Sequence, residues 1–371
     1  MKIQAKSSIL KDALGKLLTV IDKKNSRPIL SNCLFKAENG RLEIIATDLE
    51  VAAKIIVESE ISTPGEFCIN TKNIFDIVKE LPDSHVDLVL EGEKNILSLN
   101  CDSINYSLLV TNSEDYPQVN FSNSGKPFEL SAKNLSSIIS KTSHAISSDE
   151  TRMNLNGIYM QQIESKLRSV AIDGHRMALV DIEGFESENT SLSEGVIVPK
   201  KAIAEIKKIT DTYPDEKLTI SLDESFLYLS SHDSYFLSVR LIAREYPKYQ
   251  SVIPAKTTYT MSVEREKFQN AVRRVKILSN EKTNGIKLGL KPGSLSIMAN
   301  HPSLGHALEN IAIDYSGEEM ELGLNAKYLL ESLNVIEGDE VIYEFNNELS
   351  PIIIKSAQDQ NFLGIIMPLK L

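Results

Sequence analysis

Met1–Ile21 reads MKIQAKSSILKDALGKLLTVI. Apolar and polar residues alternate up to Ala5, the pattern of a half-buried strand. From Ser7 the spacing changes, and Ile9, Leu10, Ala13, Leu14, Leu17 and Leu18 share one face of a helix. The same order returns in Phe128–Ile146 (FELSAKNLSSIISKTSHAI) and in Tyr259–Leu278 (YTMSVEREKFQNAVRRVKIL). Each is a strand, a small residue (Ala5, Ser131 or Ser262) and an amphipathic helix. The second helix carries Leu135, Ile138, Ile139 and Ala145 on one face; the third carries Phe268, Ala271, Val272, Val275 and Leu278. The copies start about 130 residues apart, far longer than solenoid repeats and long enough for each to bury a core of its own.

A second pattern recurs inside each copy. Gly65–Leu81, Gly195–Ile209 and Met320–Leu333 each read as a strand running into a helix that opens around Lys72, Lys200 or Lys327. Strand-like runs follow, for example Val86–Leu90, Ile96–Asn100 and Tyr106–Val110. Each copy nears its end at a Tyr-Pro or Met-Pro pair: Tyr116-Pro117, Tyr246-Pro247 and Met367-Pro368. One copy is therefore strand, helix, strands, written twice. The fold class is α+β: three tandem domains, each with two helices packed on antiparallel sheets. The domains are expected at residues 1–120, 128–250 and 258–371, with boundaries near Asn120–Pro127 and Pro254–Thr258.

The 371 residues carry a formal net charge of −11, which argues against nucleic-acid binding until the charge is located. The predicted helices, 6–21, 71–80, 133–146, 199–209, 264–278 and 325–333, hold 17 basic and 7 acidic residues. Their balance is +10, which leaves −21 on the rest of the chain. Helix faces also favour Lys for solubility alone. Turned one way, however, these helices present a basic face to a phosphate backbone, while acidic surfaces repel it elsewhere. No run of four basic residues occurs, and no aromatic–basic alternation, so base-specific and single-strand recognition are not expected.

No apolar run is long enough to cross a membrane, and the N-terminus lacks the apolar core of a signal peptide. Cys33, Cys68 and Cys101 are isolated and odd in number, which fits buried thiols in a reducing compartment. The expected location is the cytoplasm. No phosphate-binding loop, dinucleotide fingerprint, zinc-protease motif or nucleophile elbow is present. The histidines are scattered, and His301 and His306 have no cysteine nearby. No catalytic residue, metal or cofactor is expected, so the chain does not read as an enzyme.

Two segments stand apart. Asp173-Gly174-His175-Arg176, between apolar strands, signals a tight hairpin whose glycine permits close approach of another chain. The C-terminus, Ile365-Ile366-Met367-Pro368-Leu369-Lys370-Leu371, is apolar almost to its last residue, where chains normally turn polar. Such a tail is expected to pack as an edge strand or to line a pocket.

With these pieces the chain resembles the bacterial DNA polymerase III β subunits, the sliding clamps. The resemblance rests on Pro28-Ile29-Leu30-Ser31-Asn32, Thr47-Asp48-Leu49-Glu50, Leu155-Asn156-Gly157, Asp173-Gly174-His175-Arg176, Glu245-Tyr246-Pro247, Leu278-Ser279-Asn280-Glu281-Lys282 and Met367-Pro368-Leu369-Lys370-Leu371. They span the chain in family order.

The resemblance implies a head-to-tail homodimer closed into a ring around double-stranded DNA, held without regard to sequence and serving polymerase processivity. It carries DNA contacts onto Lys24, Asn73, Asp149, Met153 and Asn154, several of them departures from the family's basic, amide or aromatic choices. Arg27, Lys72, Arg152, Lys200 and Lys201 are nearby sources of charge. It also implies one peptide groove for the polymerase III α subunit, the clamp loader δ subunit and other proteins with a clamp-binding motif. The matching positions are Leu155, Ile172, Gly174, His175, Arg176, Met177, Pro247, Val252, Tyr328, Ile365, Met367, Pro368 and Leu369. Ser251 stands where many relatives have Arg. At the dimer contact, Tyr106 and Leu108 are expected to meet Ile277 and Leu278 of the partner, without the charged pairs common in the family, since Ser103, Asn105 and Ser303–Ala307 lack them. The alternative is a triplicated protein-interaction scaffold that never encircles DNA. It keeps the repeat and the groove but has no need of basic helices.

Overall fold

The computed structural model describes residues 1–21, 27–91, 95–122, 125–232 and 234–370. Among them are seven α-helices: α1 (Ser7–Leu17), α2 (Thr71–Lys79), α3 (Ala132–Thr142), α4 (Thr190–Glu194), α5 (Lys200–Thr212), α6 (Arg265–Lys276) and α7 (Ala326–Val335). The described strands form antiparallel sheets of five, eight, eight and four strands.

Each copy follows one pairing plan. Its first strand (Lys2–Lys6, Phe128–Ser131 or Tyr259–Glu264) pairs with the strand after its second long helix (His85–Glu91, Lys217–Leu222 or Glu340–Phe345). The strand entering that helix (Gly65–Asn70, Val196–Pro199 or Met320–Asn325) pairs with the strand after the first helix (Asn32–Glu38, Gly157–Ile163 or Gly285–Lys291).

Strand pairing also joins one copy to the next. Tyr235–Arg240 of the second copy runs antiparallel to Val51–Val57 of the first, with Leu237 opposite Ala53. Phe362–Ile366 of the third runs antiparallel to Arg176–Glu183 of the second, with Ile365 opposite Met177. Two strands at corresponding places stay at sheet edges among the described residues: Ile104–Leu109 in the five-stranded sheet and Gly305–Ala312 in the four-stranded one.

The chain divides into two compact units. One comprises Met1–Lys133, Ser187–Ser191 and Ala204–Leu241; the other comprises Asn134–Glu186, Leu192–Ile203 and Ile242–Leu371. The middle copy is split because its two groups of strands belong to different eight-stranded sheets.

In the first unit α1 turns Leu10, Ala13, Leu14 and Leu17 inward, and α2 turns Ile74 and Val78 inward. Beneath them Phe35 stacks on Phe67 with ring centres 5.0 Å apart. In the second unit Phe268 of α6 meets the edge of Tyr343 at 5.6 Å, both fully buried. Burying one such ring stabilises by roughly 1.5–3 kcal/mol. The three cysteines are free and buried, and burial pushes the Cys33 and Cys68 thiols up to about 12. No described helix is long and apolar enough to cross a membrane.

Two helices end earlier than their spacing predicts. α1 stops at Leu17 because Thr19-Val20-Ile21 is β-branched, and the Thr19 hydroxyl donates back to the Lys16 carbonyl at 3.2 Å. α3 stops at Thr142, where the hydroxyls of Thr142 and Ser143 donate to the carbonyls of Ile138 and Ile139. The chain then tightens into a 3-10 turn, Ser143–Ala145. The strand Glu60–Thr63 and the short helix α4 lie outside the repeated pattern and have no counterpart among the sequence expectations.

Candidate functional site

Around Asp173 the strands Lys166–Ile172 and Arg176–Glu183 place Ile172 opposite Met177. Three residues, Asp173–His175, lie between these strands, and the Asp173 N–H donates to the Arg176 carbonyl (3.3 Å), which closes the tight hairpin expected from Asp-Gly. The Asp173 side chain shapes the turn. Its Oδ1 accepts the N–H groups of His175 (2.9 Å) and Arg176 (3.0 Å), so the loop closes on the carboxylate. Gly174 sits at φ +91°, and a Cβ there would stand 2.7 Å from Nη1 of Arg152. The positive φ favours glycine, and the missing Cβ leaves room for the Arg152 guanidinium.

Arg176 is buried, and its charge is answered on several sides. Its Nε donates to Oδ2 of Asp173 at 3.0 Å, its Nη1 to Glu331 of α7, and its guanidinium carbon lies 4.3 Å from the centre of the Tyr328 ring. The His175 ring stacks near Tyr328, with centres 6.0 Å apart. Burial, and then the charge of Asp173, raise the Tyr328 phenol above its ordinary value and keep it neutral.

The tail forms the facing wall. Phe362–Ile366 is not an edge strand but an interior one, between Ile352–Lys355 and Arg176–Glu183, which explains its apolar character. Beyond it the N–H of Met367 donates to the His175 carbonyl (2.8 Å) and that of Leu369 to the Gly323 carbonyl (2.8 Å). Met367, Pro368 and Leu369 are half-buried.

Below the turn, Leu155, Ile172, Met177 and Ile365 belong to one buried cluster with Val170, Leu179, Ile197, Tyr246 and Tyr249. Val252 packs against it, while Pro247, Gly174 and His175 are exposed. Fully buried Ile365 and Met177 are thus the floor, and the half-buried and exposed members form the walls. Sequence reasoning missed three tyrosines. Tyr159 stacks on Tyr246 at 4.7 Å, Tyr246 donates its hydroxyl to the Val170 carbonyl (3.3 Å), and Tyr249 packs beside both. The signal was present in Glu245-Tyr246-Pro247, which marks the end of a copy and carries the family resemblance, with Pro247 alone assigned to the groove.

The expected DNA-facing residues separate into two groups. Arg27, Lys72, Asn73, Met153 and Lys200 are exposed, and Lys201 is half-buried; Lys24 lies outside the described residues. Asp149 and Arg152 instead form a small ion-paired turn. The hydroxyl and N–H of Thr151, followed by Arg152, hold the Asp149 carboxyl below its ordinary range. Nε of Arg152 donates to Asp149 at 3.0 Å, and its Nη1 reaches the Gly174 turn, which brings Arg152 to the groove. Asn154 donates to the Glu245 carbonyl at 3.3 Å, on the same side.

The six long helices carry 16 basic and 6 acidic residues, again a balance of +10. Part of that charge is answered locally, as by Lys141–Asp359, Lys208–Glu205 and Arg274–Glu309.

At the two open edges Tyr106 is 37% and Ile277 75% exposed, while Leu108 and Leu278 are half-buried. Leu109 (84%), Leu304 (65%) and Leu308 (58%) add exposed apolar surface and were not anticipated. The Arg–Glu pairing absent from Ser303–Ala307 occurs two residues on and within the chain: Arg274 holds Glu309 in a fork at 3.0 and 2.5 Å. No group of three or more His, Cys, Asp or Glu that could hold a metal ion occurs among the described residues.

Comparison with known proteins gives this geometry a family. Residues 1–120, 129–248 and 250–370 match the N-terminal, central and C-terminal domain models of the DNA polymerase III beta subunit. A curated beta sliding clamp from Caulobacter vibrioides is 32% identical, covering 100% of both chains. One from Pseudomonas aeruginosa is 31% identical over 95% of each. Among solved structures, the DNA polymerase III subunit beta from Pseudomonas aeruginosa superimposes with a TM-score of 0.94 at 29% identity, covering 100% of both. A sliding clamp from Bartonella birtlesii bound to griselimycin does so at 0.94 and 32%, also covering 100% of both. The chain belongs to the DNA polymerase III beta subunit family. Its function is that of a DNA sliding clamp, which gives a replicative polymerase its processivity.

Proposed function

We propose that two copies of the chain close head to tail into a ring around duplex DNA, and that the groove at Asp173–Met177 receives a linear peptide from each partner. One observation carries the ring. Both joints between copies use the same device: the last strand of one copy pairs with the fourth strand of the copy before it. A third joint of this kind lacks both its strands' partners among the described residues, leaving Ile104–Leu109 and Gly305–Ala312 at sheet edges. Each edge suits the other edge in a second copy, and a heterologous contact of this kind closes rather than propagates when its rotation permits. Leu109, Leu304 and Leu308, with Tyr106, Leu108, Ile277 and Leu278, are the apolar surface such a joint would bury.

In this reading the three clamp domains run over 1–120, 128–250 and 258–371. Arg27, Lys72, Asn73, Lys200 and Lys201 face phosphates diffusely, which permits sliding. The partners are the polymerase III α subunit, the clamp loader δ subunit and other proteins bearing a clamp-binding motif. The chain works in the cytoplasm and catalyses no reaction of its own; topology and tethering do the work.

After loading onto a singly nicked circle, the protein is expected to stay bound through gel filtration and to leave once the circle is cut. Equal loss from circular and linear DNA would overturn the ring in favour of a scaffold that never encircles DNA.

A further inference from the structure

A second cleft lies in the first unit, at a place equivalent to the groove. The strands Arg41–Thr47 and Val51–Val57 put Thr47 opposite Ala52, just as Ile172 stands opposite Met177. Asp48 closes this turn as Asp173 closes the other. Its Oδ1 accepts the N–H groups of Glu50 (3.0 Å) and Val51 (2.7 Å). In both turns the residue after the aspartate has a positive φ: Gly174 at +91° and Leu49 at +78°. In both, the outgoing strand pairs with a strand of the following copy.

The space beside the Asp48 turn is a cleft of about 150 Å³, lined by Thr47, Leu49, Glu50, Ala52, Val119 and Tyr228 among others. That volume suits a single aliphatic or aromatic side chain. Leu49 is 44% exposed at its mouth, in a backbone conformation that a branched side chain rarely adopts. The mouth of this cleft is acidic. Where the groove turn exposes His175, with the Asp149-paired guanidinium of Arg152 nearby, this one presents Glu50, and none of the described lining residues is basic. Asp223 lies close enough to reinforce the effect of burial in raising the Tyr228 phenol.

We propose that this cleft is a second peptide-binding site, taking a short linear segment of a partner protein in which an apolar side chain is followed by Lys or Arg. The apolar side chain enters between Leu49, Ala52 and Val119, and the cation meets Glu50. Two grooves of different chemistry would let one clamp hold two different partners at once. The site stands on its own residues and goes beyond the groove proposed above.

The test uses the full chain and a fluorescein-labelled Ala-Leu-Phe-Lys-Arg peptide, with Ala-Leu-Phe-Glu-Glu as its counterpart. The basic peptide is expected to bind saturably, at least about tenfold tighter than the acidic one. Leu49→Gly and Glu50→Lys, both at exposed positions, are each expected to weaken it about tenfold while leaving the melting temperature near that of the parent. A benzophenone-bearing copy of the basic peptide is expected to crosslink within residues 47–52 or 226–238. Absence of saturation up to about 1 mM, equal affinity for the two peptides, indifference to both substitutions, or crosslinks confined to residues 172–177 and 365–370 would each overturn the proposal.

Discussion

The guanidinium carbon of Arg176 lies 4.3 Å from the centre of the Tyr328 ring, with Asp173 and Glu331 accepting its N–H groups. An arginine satisfied on so many sides cannot turn toward a ligand without loss. It is therefore a fixed part of the groove wall, and in the proposed peptide site Tyr328 is the surface beside it that a peptide would meet. Tyr328→Ala removes the cation–π contact, worth about 0.5–2 kcal/mol, together with the apolar wall. A polymerase-derived clamp-binding peptide should bind about tenfold more weakly to this variant by fluorescence anisotropy. Unchanged affinity would show that the peptide binds elsewhere.

Lys141 tests the packing of the second unit. Its ammonium lies 2.8 Å from both carboxylate oxygens of Asp359 and 2.9 Å from Glu337, with the Lys141 and Asp359 side chains only 10% and 5% exposed. Lys141→Met leaves a buried carboxylate without its counterion, which costs about 3–5 kcal/mol. Lys141→Met with Asp359→Leu should recover much of that, since no charge is then left behind. Urea denaturation of both variants checks it. Burial opposes the Lys141 charge, but its hydrogen bonds to Asp359 and Glu337 overcome it and raise the ammonium above its ordinary 10.5. A raised folded value means that the contribution is complete below 10.5 and is lost as pH climbs through the folded value. The difference between wild type and Lys141→Met should therefore shrink only in strong alkali.

Much of this molecule is legible in the chain because its core is periodic. Leu10, Ala13, Leu14 and Leu17 recur at helical spacing and are all buried, and Phe268, Ala271, Val272 and Val275 behave alike. The groove turn is legible in Asp173-Gly174-His175-Arg176, since Asp-Gly between apolar strands favours a tight turn. Other features depend on contacts between distant residues, which local pattern does not encode. Tyr159 meets Tyr246 through tertiary packing alone. Arg152, read as a source of charge toward DNA, is drawn to the groove by Asp149 beside it and Gly174 opposite. Leu49 carries no signal of its positive φ, because that conformation comes from the Asp48 turn and a leucine would not be chosen for it.

His144 predicts an acid-side loss of stability. Burial, reinforced by the charge of Arg176, lowers its imidazole to about 3, and its buried Nδ1 has no hydrogen-bond partner. A depressed histidine is protonated first in the unfolded chain. Stability is thus complete above the ordinary 6.5 and falls as pH drops from there toward 3, by up to about 1.4 kcal/mol per pH unit. His144→Gln should flatten this slope between pH 6 and 4 in urea titrations at fixed temperature. A parallel slope in the variant would assign the acid sensitivity to other groups.

The open sheet edges make the last prediction. Leu308 is 58% exposed on Gly305–Ala312, and Leu109 is 84% exposed on Ile104–Leu109. If these strands meet in the dimer, a charge on either edge is buried without a partner there, at a cost of several kcal/mol per joint. A closed dimer contains the joint twice. Leu308→Glu or Leu109→Glu should therefore shift sedimentation from about twice 41.3 kDa to the single-chain mass. Combining Leu308→Glu on one chain with Leu109→Lys on the other should restore a closed dimer, because the Glu edge of the first chain meets the Lys edge of the second and the remaining joint is apolar on both sides. Mixed chains should then hold circular DNA, whereas either variant alone should not. Full retention by the Leu308→Glu variant alone would remove these strands from the joint.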